Sequence, residues 1–77
     1  MPEAYVCINT EPASMVEVLK ALKAVEGIEE AEMVYGIYDI IVKVKADSVD
    51  SLKKIITGRI RTASNVTSTT TIMVFKA

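Results

Sequence analysis

Val34-Tyr35-Gly36-Ile37-Tyr38-Asp39-Ile40-Ile41-Val42-Lys43-Val44 is the stretch whose reading decides the fold. It reads as a hairpin turned at Gly36 and followed by a strand. Ile40, Val42 and Val44 point one way, while Ile41, Lys43 and Lys45 point the other. Asp39 is a single carboxylate just inside that strand. It marks the one spot where a small charged ligand could be held.

Working outward, the same strand is expected to run from Tyr38 to Ala46, and the strand before the turn from Ile28 to Tyr35. Glu30 and Glu32 on the latter suit a sheet edge. Upstream, Ala4 to Thr10 is rich in β-forming residues and is broken by Glu11-Pro12-Ala13. Met15, Val18, Leu19, Leu22 and Val25 then recur at helical spacing. Ser14 and Glu17 have the spacing of a capping box, and Gly27 is placed to cap the helix C-terminus. Downstream, Asp47 or Ser48 caps a second helix with an inner stripe of Val49, Leu52, Ile55, Ile56 and Ile60. Gly58 inside it costs about 1 kcal/mol relative to alanine and predicts fraying or tightening there. Asn65 suits a left-handed turn residue, and Val66 to Phe75 reads as the last strand.

The order strand, helix, strand, strand, helix, strand is the α+β, ferredoxin-like βαββαβ arrangement. Right-handed crossovers give an antiparallel sheet in the order 4-1-3-2 with both helices on one face. Val6, Ile8, Ile40, Val42, Val44, Ile72 and Val74 are assigned to that face. Tyr5, Cys7, Ile41, Met73 and Phe75 are assigned to the other.

Seventy-seven residues make one domain, residues 1–77, and 51% of them are hydrophobic. A chain this short buries only about 60% of the surface its unfolded form exposes. Nothing in it is left to cover the second sheet face. Large apolar side chains gain about 1.5–3 kcal/mol each on full burial, so two copies are expected to dimerise sheet to sheet through Tyr5, Cys7, Ile41, Met73 and Phe75.

Nine basic residues oppose ten acidic ones, with no histidine and a net charge of −1. That balance lacks the electrostatic footprint of a nucleic-acid binder. Lys53, Lys54, Arg59 and Arg61 read as a solvated helix face. Cys7 has no partner for a disulfide and no zinc-type spacing around it, so it reads as a small core hydrophobe. No metal or cofactor is expected. No signal peptide or membrane-length apolar run is visible, and the expectation is a soluble cytoplasmic protein.

The topology brings Asn9, Thr10, the Gly36 turn, Asp39 and the Thr67–Thr71 run to one end of the sheet. Strands lie about 4.8 Å apart, so the third and fourth strands, which carry Asp39 and the threonine run with the first strand between them, are separated by roughly 10 Å, the scale of a free amino acid. Asp39 could receive an ammonium group, and turn amides with threonine hydroxyls could receive a carboxylate. The same residues have plainer readings. Asp39 bonds local amides beside a turn, and threonines suit edge strands. Tyr35 and Tyr38 wall a pocket, an interface or a core with equal ease.

Tyr35-Gly36-Ile37-Tyr38-Asp39-Ile40-Ile41-Val42-Lys43-Val44 resembles the G-x-Y/F-D-hydrophobic signature of the effector-binding domain of Lrp/AsnC transcriptional regulators, the RAM domain. Val66-Thr67-Ser68-Thr69-Thr70-Thr71 is similar to that family's V-x-S/T-T-T ending. Val25-Glu26-Gly27-Ile28 is similar to its P-G-V step, with Glu26 in place of proline. Gly58 and Asn65 depart from the family, which commonly has a non-glycine and a glycine there.

The resemblance implies dimers formed through the sheets, further assembly into octamer-like rings, and free amino acids bound between dimers. It assigns ligand binding to Gly36, Tyr38 and Asp39, with hydroxyls from Thr69 and Thr71. With only Met1-Pro2-Glu3 ahead of the first strand, the expectation is a form without the helix-turn-helix of full regulators. The implied protein is a stand-alone domain that does not bind DNA directly and could act through a full-length Lrp-type regulator.

Two other classes stay open. One is a small dimeric ferredoxin-like enzyme, for which no histidine and no second carboxylate at a clear partner spacing are present. The other is a structural interaction module without a ligand. The metal-chaperone type needs C-x-x-C, which is absent.

Overall fold

The computed structural model describes residues 1–75. It contains strand β1 (Glu3–Thr10), helix α1 (Met15–Lys23), strand β2 (Ile28–Met33), strand β3 (Ile40–Lys45), helix α2 (Val49–Ile55) and strand β4 (Val66–Val74). The sheet is antiparallel in the order β2-β3-β1-β4, as the strand and helix order implies. Alternation along the two central strands places Ala4, Val6, Ile8, Ile40, Val42 and Val44 under the helices, all fully buried. Val18 and Leu22 of α1 and Leu52 of α2 close this core.

Three of the connections use one device. In Glu11–Ser14, Val25–Ile28 and Ala63–Val66 the fourth amide donates to the first carbonyl, at 3.1, 3.3 and 3.4 Å. The third residue of each has positive φ: Ala13 at 67°, Gly27 at 97° and Asn65 at 67°. That is the mark of a type II turn. Asn65 adopts the left-handed conformation its sequence allows. Gly27 serves a turn and not the expected helix cap, because α1 ends at Lys23 with Ala24 as its cap.

Several expectations need correction. Ser14 stands at the N-cap of α1, but its side chain makes no cap hydrogen bond. Its ψ of 1° departs from the extended cap geometry that aims the hydroxyl at the first-turn amides. The capping contact forms at α2, where Ser48 Oγ accepts from the Ser51 amide at 3.1 Å. Val49 is 48% exposed and leaves the inner stripe. Near Gly58 the helix widens. Ile56–Ile60 is π-helical, with the Arg61 amide donating to the Ile56 carbonyl at 3.0 Å, and Ile56 and Ile60 both stay buried.

The largest correction concerns β4. Ala4 faces Met73 across the ladder, and Tyr5 faces Ile72. Met73 therefore packs against the core beneath the helices, while Ile72 is 53% exposed on the open face. Val74, opposite Glu3, shares that open face. The phase is the reverse of the one expected. Five consecutive hydroxyl residues offer no apolar alternation to set it, and a one-residue slip moves every side chain to the other side. Phe75 lies just past the strand and is exposed.

Candidate functional site

The segment between β2 and β3 is wider than a tight hairpin. β2 stops at Met33 and β3 begins at Ile40, two residues short of the expected ends on each side. The Val34 amide donates to the Asp39 carbonyl at 2.9 Å, which leaves Tyr35-Gly36-Ile37-Tyr38 as a four-residue loop. A loop of this length closes without a left-handed residue, and Gly36 has no positive φ. A Cβ built on Gly36 would meet nothing within 4 Å. Tyr35 and Ile37 stand exposed on either side of it.

Asp39 anchors this loop to the end of β1. Its amide donates to the Ile8 carbonyl at 2.9 Å. Its Oδ2 accepts from the Thr10 amide at 2.9 Å and from the Thr10 hydroxyl at 3.4 Å. A carboxylate that accepts a backbone amide and a hydroxyl is a strong fixing point. The sequence places Thr10 at this end of the sheet but gives it no role as the partner of Asp39. Its signal was present in the topology, which ends β1 beside the start of β3.

Tyr38 leans the other way. Its hydroxyl donates to Thr70 Oγ1 at 3.3 Å, so the ring reaches across β1 to β4. Thr70 lies opposite Cys7, on the open sheet face. Beside it, Asn9 Nδ2 donates to Ser68 Oγ at 3.2 Å. Thr69 and Thr71 lie opposite Ile8 and Val6 and so project to the helix side. Tyr38, Asp39, Thr10, Asn9, Ser68 and Thr70 thus form one contiguous corner. Gly36 stands out from it in solvent, and the hydroxyls of Thr69 and Thr71 are separated from Tyr38 by the sheet.

The open face has an apolar and a charged part. Tyr5, Cys7, Ile41 and Ile72 occupy its middle, with Cys7 only 5% exposed between Ile41 and Thr70. Toward the start of β1, buried Glu3 meets Lys43 Nζ at 3.4 Å and Lys45 Nζ at 4.0 Å, and Lys45 also reaches Glu29 at 3.7 Å. The hydrogen bond that Lys43 donates to the Glu3 carboxylate, with the charges of Tyr5 and Glu3 adding to it, raises the Lys43 ammonium above its ordinary value.

At the far end of the sheet from Asp39, an open hollow of about 990 Å³ lies between Gly27, Lys45, Ala46, Ile55 and Arg59. Among the described residues no group of acidic, cysteine and histidine side chains is gathered to hold a metal, and no helix is long and apolar enough to cross a membrane.

The chain's likeness to known proteins agrees with this geometry. Residues 3–77 match the family model of the Lrp/AsnC ligand binding domain. Among solved structures, FFRP-DM1 is 35% identical over 97% of this chain and 100% of its own, with a TM-score of 0.93. The hypothetical protein PHS023 from Pyrococcus horikoshii is 34% identical over 100% of this chain and 93% of its own, with a TM-score of 0.92. AsnC of E. coli is 26% identical over 99% of this chain but only 52% of its own length, with a TM-score of 0.89. No curated protein matches the chain. With a family match over nearly its whole length and the fold to go with it, this chain belongs to the Lrp/AsnC family, as a ligand-binding domain.

Proposed function

We propose that this domain is a small-molecule sensor without enzymatic activity that assembles into dimers and larger rings and binds a free amino acid, or a related compound, where copies meet. Bound ligand would alter its assembly with a full-length Lrp-type regulator in the cytoplasm, and so alter transcription. One observation carries the reading. The Tyr35–Tyr38 loop is pinned at its base by Asp39 and Thr10, yet its apolar tip stands in water. A rigid base with an uncovered apolar tip suits a half-pocket completed by a second copy. In this reading Gly36 leaves room for the ligand, Asp39 Oδ1 and Tyr38 address its polar end, and Thr69 and Thr71 belong to the surrounding wall.

Sheet-to-sheet dimerisation is supported by Tyr5, Ile41 and Ile72 on a face that no element among the described residues covers. Ile72 takes the place in that contact first given to Met73. Isothermal titration with each common amino acid, alongside thermal melts, tests the ligand. Heat of binding and a raised melting temperature are expected for at least one. Silence from all of them in both measurements would dismiss it. The reading as a structural module has one observation in its favour, since Asp39 Oδ2 is already occupied by Thr10. Co-assembly with a regulator that no ligand alters would favour that reading.

A further inference from the structure

The widened turn after α2 decides where Arg59 goes. In a regular α-helix Arg59, seven residues after Leu52 and four after Ile55, falls on the inner stripe. The π-helical turn Ile56–Ile60 holds an extra residue, and buried Ile60 takes the inner place. Arg59 moves to the edge of the stripe on the side of Ile55 and stands exposed, lining the hollow between the helices with Ala21, Val25 and Ile55. Turns of this kind recur at functional sites. Among the described residues Arg59 makes no ion pair and no hydrogen bond through its side chain. The hollow runs from Asp47 and Ser51, at the start of α2, to Arg59, and the helix from Ser51 to Arg59 rises roughly 12 Å. Its ends differ in charge. At the end away from Arg59 stand Glu26 and Asp47, without an ion pair among the described residues, while Lys45 there is already held by Glu29 at 3.7 Å and Glu3 at 4.0 Å. Between the ends the wall is apolar, with half-buried Val25 and Ile55 beside alanines too small to fill the space.

We propose that this hollow binds a short apolar peptide lengthwise, with its ammonium between Glu26 and Asp47 and its terminal carboxylate on Arg59. Charge, length and lining select the occupant. Three extended residues span roughly 10 Å, which matches the distance between the two charged ends. A free amino acid carries both charges on one carbon and reaches only one end. A phosphate or another dianion gains Arg59 but is repelled by Glu26 and Asp47. The planar guanidinium takes a carboxylate through two parallel hydrogen bonds, a geometry an ammonium in its place does not offer. The apolar wall between the ends receives the peptide's side chains, and a hollow of about 990 Å³ has room for them. The site lies at the opposite end of the sheet from Asp39, so it stands or falls separately from ligand binding at that corner.

Isothermal titration of the wild-type protein with the tripeptide Ala-Leu-Ala tests it, beside the same peptide acetylated at its amino end or amidated at its carboxyl end. The free peptide should bind, and each blocked form should bind at least tenfold more weakly. Arg59→Gln, a substitution at an exposed position, should weaken the free peptide at least tenfold and bind the free and amidated forms alike. Backbone amide shifts in the wild-type protein, followed by NMR during the titration, should move at Ala21, Val25 and Ile55 and stay still at Tyr38 and Asp39. Absence of binding by Ala-Leu-Ala, equal affinity for the blocked forms, wild-type affinity in Arg59→Gln, or shifts gathered at Tyr38 and Asp39 would each overturn the peptide site.

Discussion

Ala13 and Gly27 hold the same conformation in the same kind of turn, and only one of them suits it. A left-handed backbone costs an L-residue roughly 1–2 kcal/mol, and glycine is free of that cost. Replacing Ala13 with glycine removes the strain and returns part of the gain as unfolded-chain entropy, about 0.4–1 kcal/mol. The expected result for Ala13→Gly is a gain of about 0.5–1 kcal/mol in denaturant unfolding. Gly27→Ala should go the other way. The added methyl would sit 2.7 Å from Ile55 Cδ1 and 3.2 Å from the Lys45 carbonyl, on top of the backbone strain. A loss of about 2 kcal/mol is expected in the same measurement. Of the three turn residues, Gly27 and Asn65 announce themselves by type. Ala13 does not, because nothing in an alanine signals a left-handed backbone. Asp39 was legible as a special carboxylate, but its use of Thr10 was not, since that bond joins residues 29 apart in sequence.

At the scale of elements, β1, β3 and α1 follow directly from their apolar periods. β4 was legible as a strand and illegible in phase. Its Thr67–Thr71 run carries propensity without alternation, and only pairing with β1 decides which of Ile72 and Met73 faces the helices. Two truncations read that phase from stability. Met73→Ala, against the core, should cost about 1–2 kcal/mol. Ile72→Ala, on the open face, should change the unfolding of a dilute single copy by less than about 0.5 kcal/mol. The reverse order in chemical denaturation would show that Met73 is the outward residue. The π-helical turn after α2 was foreshadowed only by Gly58, whose weak helix propensity says that the helix is soft there but not how it yields. The bonds from Thr57 to the Lys53 carbonyl and from Thr62 to the Gly58 carbonyl are of the kind that bends helices.

For the whole molecule, the charged end of the open face ties pH to stability. Lys43 has its ammonium raised above 10.5, first by its hydrogen bond to Glu3 and then by the charges of Tyr5 and Glu3. A raised folded value means that this contribution is complete below the unfolded lysine value, about 10.4. It is lost as pH rises through the folded value. Melting curves across that alkaline window should therefore fall less steeply in Lys43→Gln than in the wild type. Identical slopes would remove the pair from the account. Below about pH 9 the pair's effect should not vary through Lys43. The sequence by itself determined the strand and helix order, the sheet order that right-handed crossovers force, and the family signature around Gly36 and Asp39. Each rests on local periodicity or on a rule of connection, and both can be read along one dimension. Tertiary structure alone decided which residues share the corner with Asp39, which face Ile72 and Met73 take, and where Glu3 finds its lysines. Those are pairings between distant segments, set by register, and register is fixed only when strands lie side by side.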